Sequence, residues 1–291
     1  MQYSINVGGH LLELSTPQVM GILNVTPDSF YAESRVQTED AIRRRVIQIL
    51  SEGGSIIDVG AFSTRPGAEV VSKEEEMCRL KTALKTIREE APDAILSVDT
   101  FRADAAKMCV EEYGVQMVND ISGGQLDAQM FSTVARLGVP YILMHGQGTV
   151  SATDQMPQYE DFMKEVLLYF AERIQQLRDL GQKDIILDPG FGFGKTLEQN
   201  YELLANIDAL RIFELPILVG VSRKSMIYKL LNTSAEHALN GTSVLNTIAL
   251  TKDCAQILRV HDVREAVEAV SIVSKTDQYR FTDEQILLIS D

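Results

Sequence analysis

Short apolar runs alternate with longer segments of helical periodicity along most of the chain. A polar side chain follows each run, and the runs lie at 19–23, 55–57, 95–98, 116–118, 141–144, 185–187, 217–221 and 257–260. Apolar residues recur at helical spacing between them, at roughly 39–52, 72–90, 102–113, 127–137, 159–180, 196–213, 225–232, 235–252 and 263–275. Because strands and helices alternate strictly, the pattern predicts a parallel sheet covered by helices.

Eight such strand–helix units predict a (β/α)8 TIM barrel, in which the C-terminal ends of all strands open on one active-site mouth. A doubly wound open sheet is the alternative. Residues 3–14 precede the first unit and predict a β-hairpin, because Gly8-Gly9 separates two alternating segments. We expect this hairpin, within residues 1–16, to close the bottom of the barrel in a single domain that spans 1–291.

Composition and charge restrict the class of protein further. The chain is 45% hydrophobic and 23% charged, as in ordinary globular proteins, and we find neither a signal peptide nor a run long enough to cross a bilayer. The cysteines Cys78, Cys109 and Cys254 are odd in number and far apart, so we expect reduced, buried thiols of a cytoplasmic protein. A net charge of −14 argues against binding of nucleic acid.

The polar residues at the ends of the predicted strands are the candidate functional residues. Asp188 follows the run 185–187, and Pro189-Gly190 breaks the strand there, so this carboxylate would open on a glycine-rich loop. A β-turn capped by Asp188 is the plain alternative for this stretch taken alone. The same design recurs at the other strands, whose ends carry Asn24, Asp58, Asp99, Asn119, Lys224, Arg259 and His261.

These side chains predict binding of a planar polar ring and a phosphorylated group. Carboxylates and amides at one mouth suit a heterocycle with adjacent N–H donors, because an ionised carboxylate only accepts hydrogen bonds. Asn24 offers a neutral oxygen, which suits Mg²⁺ that keeps water and phosphate oxygens as its other ligands. Arg259 and His261 alternate along one strand and, with Arg65, suit phosphate. A surface ion pair or a structural aspartate is the alternative at each position.

Two strand–helix connections are long, and two familiar motifs are incomplete or absent. Residues 25–38 and 61–72 follow the first and second strands, and connections of this length are often binding loops. Gly194-Lys195-Thr196 resembles the end of a P-loop, but Pro189 stands where the motif requires glycine. The sequence contains no H-E-x-x-H zinc motif.

Seven sequence blocks resemble the dihydropteroate synthase family, the folate-pathway enzymes that sulfonamides inhibit. In the order of the family they are Gly21-Ile-Leu-Asn-Val-Thr-Pro-Asp-Ser-Phe30, Ser63-Thr-Arg-Pro-Gly67, Ser97-Val-Asp-Thr100, Val118-Asn-Asp-Ile-Ser-Gly123, Asp188-Pro-Gly-Phe-Gly-Phe-Gly-Lys195, Ser222-Arg-Lys-Ser225 and Arg259-Val-His-Asp262. The resemblance implies a transferase that joins 6-hydroxymethyl-7,8-dihydropterin diphosphate to p-aminobenzoate and releases diphosphate. It further implies Mg²⁺ as cofactor and a homodimer.

The resemblance also implies a role for each matching residue. The residues expected to hold the pterin are Asp99, Asn119, Met144, Asp188 and Lys224, with Asp58 as a weaker candidate. Those expected to bind the diphosphate and its metal are Arg259, which would also stack on the ring, His261 and Asn24. Those expected at the aminobenzoate site are Thr64, Arg65, Pro66, Phe193, Lys224 and Ser225. The expected catalytic residues are Asp99, Asp188, Lys224 and Arg259.

Two blocks depart from the pattern of the family, and two other functions stay open. Tyr31-Ala-Glu-Ser34 stands where the family has Ser-Asp-Gly-Gly, and Ala61-Phe62 stands where it has Gly-Glu. Both departures fall in the long connections and bear on the response to sulfonamides. The alternative functions are a pterin- or folate-binding barrel of a methyltransferase and a non-catalytic partner subunit that kept the barrel.

Overall fold

Eight parallel strands form a nearly closed barrel in the computed structural model, which describes residues 3–25, 34–62, 71–146 and 158–280. In chain order the strands are β1 (Ser4–Val7), β2 (His10–Glu13), β3 (Gln18–Asn24), β4 (Ile56–Gly60), β5 (Ile95–Asp99), β6 (Met117–Asp120), β7 (Tyr141–Met144), β8 (Ile185–Asp188), β9 (Leu218–Val219) and β10 (Ile257–Val260). The barrel order is β8-β7-β6-β5-β4-β3-β10-β9, and a parallel bridge between Leu187 and Ile217 joins its two ends. The predicted TIM barrel is confirmed.

Helices follow the barrel strands and cover the sheet. They are α1 (Ser34–Ser51), α2 (Lys73–Glu90), α3 (Ala103–Tyr113), α4 (Met130–Leu137), α5 (Phe162–Asp179), α6 (Leu197–Ala205), α7 (Ser225–Leu230), α8 (Leu239–Thr251) and α9 (Val263–Asp277). Short 3₁₀ segments add Ile207–Phe213 and Ala235–His237. The larger apolar core lies between the sheet and these helices and includes Val46, Leu84, Phe170, Leu203 and Val270.

The N-terminal hairpin closes the bottom of the barrel, as predicted. Gly8 and Gly9 adopt positive φ angles of 63° and 90°, which the tight turn between β1 and β2 requires. Ile5, Val7 and Leu14 are buried, and each contributes about 1.5–3 kcal/mol through the apolar surface it removes from water. They pack against residues near the starts of the barrel strands, namely Met20, Ile56, Met117, Ile142, Ile186, Leu218 and Ile257.

Several predicted boundaries are wrong, and local hydrogen bonding explains the differences. The helix expected over 196–213 divides at Asn206, whose side-chain amide donates to the carbonyl of Glu202 at 2.8 Å and ends α6. The strand expected over 217–221 is only Leu218–Val219, because the chain turns and the Lys224 N–H donates to the Val221 carbonyl at 3.2 Å. The helix expected over 72–90 is α2, and Ser72 caps its N-terminus, where the hydroxyl accepts from the Glu75 N–H.

The cysteines and the apolar character of the helices bear on two further predictions. Cys109 and Cys254 are free and buried as predicted, whereas Cys78 is free but exposed, because its position on α2 faces solvent. No helix within the described ranges has the length and apolar character needed to span a membrane.

Candidate active site

A row of polar side chains and one glycine crosses four neighbouring strands at the mouth of the barrel. The strand register pairs Asn24 with Gly60, Gly60 with Asp99, and Asp99 with Asn119. Gly60 matters here, because a Cβ atom at this position would lie 3.2 Å from Asn24 Oδ1 and 3.5 Å from the Cβ of Asp99. The absence of a side chain therefore leaves room between the amide of Asn24 and the carboxylate of Asp99.

Arg259 joins this row to two buried carboxylates. Its Nε donates to Asp58 Oδ2 at 2.6 Å, and its Nη2 donates to Asp99 Oδ2 at 2.7 Å. The side chain of Arg259 is 19% exposed, that of Asp58 is 0% exposed and that of Asp99 is 12% exposed, so water screens the two ion pairs weakly. Asn119 Nδ2 also donates to Asp58 Oδ2, at 3.0 Å. These four side chains form what we call the carboxylate–arginine network.

Asp58 differs from its predicted place. The sequence placed it at the tip of the second barrel strand, but β4 continues to Gly60 and Asp58 lies in the middle of the strand, paired with Ile22 and Ser97. The polar residue ended the apolar run in the sequence without ending the strand, because its inward-facing carboxylate is neutralised by Arg259. Asp58 thus supports the site from one layer below the mouth.

Asp188 and Lys224 form a second group at the same mouth. Asp188 ends β8 beside Met144 of β7, and its Oδ1 accepts from the Gly190 N–H at 2.8 Å. Lys224 Nζ donates to the Phe191 carbonyl at 2.5 Å and lies 4.6 Å from the centre of the Phe193 ring. The glycine-rich loop that follows β8 therefore positions both an ammonium group and an aromatic face beside the carboxylate.

The two groups face each other across a glycine. A Cβ atom on Gly220 would lie 3.8 Å from Lys224 Nζ and 3.9 Å from the Cβ of Arg259. The cations of the second group and of the carboxylate–arginine network thus border the same space. The sequence predicts that the strand-end residues meet at one mouth, and the structure brings together residues that are up to 201 positions apart along the chain.

Burial shifts the pKa values of several of these groups. Desolvation raises the pKa of Asp99 to about 7, with Arg259 opposing the shift and Asp58 adding to it. Desolvation also raises the pKa of Asp188, against the effect of Lys224, and lowers the pKa of Lys224 to about 8, against the effect of Asp188. Clusters of shifted pKa values in a concave site are typical of active sites.

Two carboxylate oxygens in the carboxylate–arginine network accept no hydrogen bond from the described residues. Asp58 Oδ1 and Asp99 Oδ1 are buried and have no hydrogen-bond partner among the described residues. Buried acceptors in folded proteins are almost always satisfied. A ligand with N–H donors would satisfy Asp99 Oδ1 at the mouth and recover the free energy lost by its desolvation.

His261 lies next to Arg259, just beyond the end of β10, and is held on both sides. Its Nδ1 is 3.1 Å from Ser222 Oγ, and its backbone N–H donates to the same oxygen at 3.1 Å. Its carbonyl accepts from Arg45 Nη2 at 2.7 Å. Burial and the charge of Arg259 lower the pKa of His261 to about 4, so the imidazole is neutral at pH 7.

Comparison with known proteins identifies the family. The profile of the family described as pterin binding enzyme matches residues 20–261. The dihydropteroate synthase of Escherichia coli K12 is 42% identical over 275 residues, which cover 92% of this chain and 94% of that protein. That of Clostridium beijerinckii is 40% identical over 256 residues, which cover 87% and 92%. This chain belongs to the dihydropteroate synthase family of pterin binding enzymes.

Solved dihydropteroate synthases share the whole barrel. The Yersinia pestis enzyme in complex with a sulfonamide drug is 39% identical, with a TM-score of 0.84 over 95% of this chain and 100% of that one. The Xanthomonas albilineans enzyme with 4-aminobenzoic acid is 33% identical, with a TM-score of 0.86 over 97% and 100%. The resemblance stated from the seven blocks is thus confirmed.

Some residues expected from the dihydropteroate synthase pattern lie outside the described ranges. Thr64, Arg65 and Pro66 belong to this group, as do residues 26–33 of the first long connection. Of the two departures from the family, Ala61-Phe62 is described. The Phe62 ring packs edge-on against Phe101 with centroids 5.2 Å apart, and the Ala61 carbonyl accepts from Arg79 Nη1 at 3.1 Å.

Three residues with structural roles at the mouth are not among the predicted site residues. Lys195 is buried and its ammonium donates to the carbonyls of His145, Gly190 and Phe193 at 2.8–3.2 Å, which ties the loop after β8 to the end of β7. Ser222 and Arg45 hold His261. Lys195 and Ser222 lie inside matching blocks, which is a sequence signal for them, whereas Arg45 lies outside all seven blocks.

Proposed function

We infer that this chain catalyses the reaction of its relatives: it joins 6-hydroxymethyl-7,8-dihydropterin diphosphate to p-aminobenzoate, giving 7,8-dihydropteroate and diphosphate. The observation that carries this conclusion is the carboxylate–arginine network facing Asp188 and Lys224 across one mouth. It combines acceptors for a pterin ring with cations for a diphosphate.

Pterin recognition would use the acceptors and donors at the mouth. Asp188 and Asp99 present carboxylate oxygens to the ring N–H groups, while Lys224 and Asn119 donate to ring nitrogen and carbonyl acceptors. Met144 is buried beside Asp188 in the strand register and offers an apolar wall for the flat ring. Charge-assisted bonds of this kind favour one orientation of the ring, which places its methylene carbon toward the cations.

Diphosphate binding would use Arg259 and His261, with Arg65 of the second long connection. A guanidinium carries five donors, of which Nε and Nη2 face Asp58 and Asp99, so donors remain for phosphate oxygens. The two carboxylates also fix the plane of the guanidinium, against which the ring can stack. Arg259 and Lys224 supply local positive charge for a substrate anion, despite the net charge of −14 on the chain.

The aminobenzoate would lie between the loop after β8 and the start of α7. Phe193 offers an aromatic face, Lys224 a cation beside it and Ser225, at the first position of α7, a hydroxyl. Thr64, Arg65 and Pro66 would close the site from the second long connection. The Yersinia pestis relative is solved with a sulfonamide drug, and we expect this drug class to compete for the same place.

The reaction needs leaving-group stabilisation more than base catalysis. The C–O bond between the pterin methylene and the diphosphate breaks, the electron pair stays with diphosphate, and positive charge spreads into the pterin. Buried carboxylates such as Asp99 and Asp188 stabilise that charge, and Arg259 and His261 stabilise the departing anion. The aniline nitrogen, which is neutral at pH 7, then forms the new C–N bond, and the proton it loses passes to water.

One coupled assay tests the function. Purified protein supplied with both substrates and Mg²⁺ should release diphosphate and dihydropteroate in equal amounts. Pterin binding without diphosphate release would instead indicate a pterin-binding barrel of the methyltransferase type and would overturn the proposal. Omitting p-aminobenzoate is the control, since diphosphate release should then fall to the rate of hydrolysis by water.

Magnesium would bind at Asn24. This side chain is exposed at the end of β3, and no group of three or more His, Cys, Asp or Glu within the described ranges could hold a metal by itself. A single protein oxygen suits Mg²⁺, which commonly keeps water and substrate phosphates as ligands. When bound, the ion would neutralise the diphosphate and make it a better leaving group.

Replacing Asn24 by alanine should raise the Mg²⁺ concentration that gives half-maximal activity about tenfold, the equivalent of about 1.4 kcal/mol of metal binding. The measurement is a Mg²⁺ titration of diphosphate release at saturating substrates. Asn24→Asp is the matched control, because it keeps an oxygen ligand. Its half-maximal Mg²⁺ concentration should stay no higher than that of the wild-type protein. An unchanged titration for the alanine variant would place the metal elsewhere.

A homodimer would form through α8 and α9. These neighbouring helices expose Val244, Ile248 and Ile272, and Tyr279 follows α9, with exposed fractions of 49%, 38%, 67% and 74%. Contiguous exposed apolar side chains on a folded protein commonly mark an interface. We expect Ile272→Asp to convert a dimer into a monomer in sedimentation velocity. Leu168→Asp on α5, where the side chain is 59% exposed, is the control and should leave the dimer intact. A wild-type monomer at micromolar concentration would contradict the proposal.

A further inference from the structure

The hydroxyl of Ser222 contacts His261 twice. Ser222 lies in the turn after β9, and His261 follows β10, the neighbouring strand. The hydroxyl oxygen accepts from the backbone N–H of His261 at 3.1 Å and lies 3.1 Å from the ring Nδ1. Ser222 is only 5% exposed, so its hydroxyl proton has little access to water. One side chain thus meets both the backbone and the ring of a residue at the diphosphate end of the mouth.

The hydrogen bonds of the Ser222 hydroxyl favour one tautomer of the His261 imidazole. A serine hydroxyl has one proton to donate and accepts through its lone pairs. The backbone N–H of His261 occupies an acceptor position, and the neighbour that can take the hydroxyl proton among the described residues is Nδ1. If Nδ1 carried the ring proton, the hydroxyl proton would be buried without an acceptor, which costs free energy. The arrangement is fully satisfied when Nδ1 is unprotonated and Nε2 carries the proton.

We propose that Ser222 is a positioning residue that holds His261 in its Nε2-protonated tautomer, so that the imidazole presents an N–H donor to the diphosphate of the substrate. This inference rests on the proposed function for the identity of the anion. It assigns to Ser222 a task separate from substrate contact: it acts on the substrate only through the ring of His261.

The surroundings of His261 agree with a neutral, oriented donor. Burial and the nearby charges of Arg259, Arg45 and Arg223 disfavour the imidazolium, while Asp262 has the opposite effect, and the pKa of His261 falls to about 4. A neutral imidazole can donate only from the nitrogen that bears its proton, so the tautomer decides whether the ring helps or repels a phosphate oxygen. Arg45 fixes the His261 carbonyl at 2.7 Å, so the backbone remains anchored when Ser222 is changed.

The tautomer can be observed directly. The chain contains four histidines, so long-range ¹H–¹⁵N correlation spectra of the full-length protein labelled on its imidazoles are simple, and His261→Gln assigns the signal. We expect the Nε2-protonated form for His261 in the wild-type protein and a mixture of both tautomers in Ser222→Ala. Ser222→Thr, which keeps a hydroxyl, should restore the wild-type spectrum. Ser271→Ala, an exposed serine on α9, is the control and should change nothing.

The kinetic consequence should be confined to the diphosphate. Ser222→Ala is expected to raise KM for dihydropterin diphosphate about tenfold, through loss of one oriented hydrogen bond to a charged group. Its affinity for the same pterin without diphosphate should change less than twofold, and Ser222→Thr should recover most of the loss. A merely structural role would weaken both ligands alike and lower the melting temperature.

Two results would overturn the proposal. One is a wild-type tautomer in Ser222→Ala, and the other is an Nδ1-protonated His261 in the unmodified protein. The spectra do not depend on catalysis. If the unmodified chain released no diphosphate from the substrate, the proposed function would fail, whereas the tautomer assignment would still be decided by the spectra alone.

Discussion

Replacing Arg259 by alanine is expected to lower kcat/KM by about a thousandfold and the free energy of unfolding by about 3–5 kcal/mol. The catalytic loss follows because, in the proposed function, the guanidinium binds and stabilises the departing diphosphate. The stability loss follows because Asp58 and Asp99, which bond to Nε and Nη2, would be left in the protein without a counter-charge. Steady-state kinetics and urea unfolding measure the two effects on the same preparations.

Companion variants separate the two consequences of the Arg259 change. Adding Asp58→Asn to Arg259→Ala removes one uncompensated buried charge, so it should recover part of the stability and none of the activity. Arg264→Ala, an exposed arginine on α9, is the matched control and should leave both quantities unchanged. An Arg259→Ala protein of wild-type stability would show that the two ion pairs contribute little to the fold.

Replacing Asp188 by alanine is expected to weaken pterin binding by roughly 2–4 kcal/mol, because ring donors would be buried without an acceptor. Isothermal titration with a pterin that lacks the diphosphate measures the loss of ring binding alone, without a contribution from the leaving group. Loss of the carboxylate also removes the acceptor of the Gly190 N–H. This hydrogen bond lies at the start of the glycine-rich loop that follows β8.

A graded series makes the Asp188 result specific. Asp188→Asn keeps the shape and one acceptor but adds N–H groups that face the ring donors, so it should bind pterin about as poorly as the alanine variant. Asp93→Ala, an exposed aspartate in the turn before β5 and thus at the other end of the barrel, should bind like the wild-type protein. A tenfold or smaller loss of affinity for Asp188→Ala would contradict the pterin pocket.

The barrel and the strand-end residues could be predicted because each depends on local patterns. A buried parallel strand demands a short apolar run, and its C-terminal end is where polar residues reach solvent and ligand. Asp99, Asp188 and Asn24 therefore occur at the ends of their runs in the sequence and at the ends of β5, β8 and β3 in the structure. Because runs and helices alternate strictly, the strands are parallel, and their C-terminal ends lie on the same face of the barrel.

Other features depended on groups that meet only after folding. Nothing near Asp58 in the sequence indicates that β4 continues through it, because the partner that makes its burial tolerable, Arg259, lies 201 residues away. The end of α6 at Asn206 has, by contrast, a local cause: the Asn206 side-chain amide donates to the Glu202 carbonyl four residues earlier. The roles of Lys195 and Arg45 required carbonyl groups from other elements of the barrel.

The sequence by itself thus determined the fold class, the family and several of the polar residues that share the mouth, since periodicity and block order are properties of the chain. Tertiary structure alone decided how these residues are paired: Asp58 and Asp99 with Arg259, Lys224 with the Phe191 carbonyl, and Ser222 with His261. The physical reason is that hydrogen bonds and ion pairs act over a few ångströms in space, whereas sequence patterns report only on neighbours along the backbone.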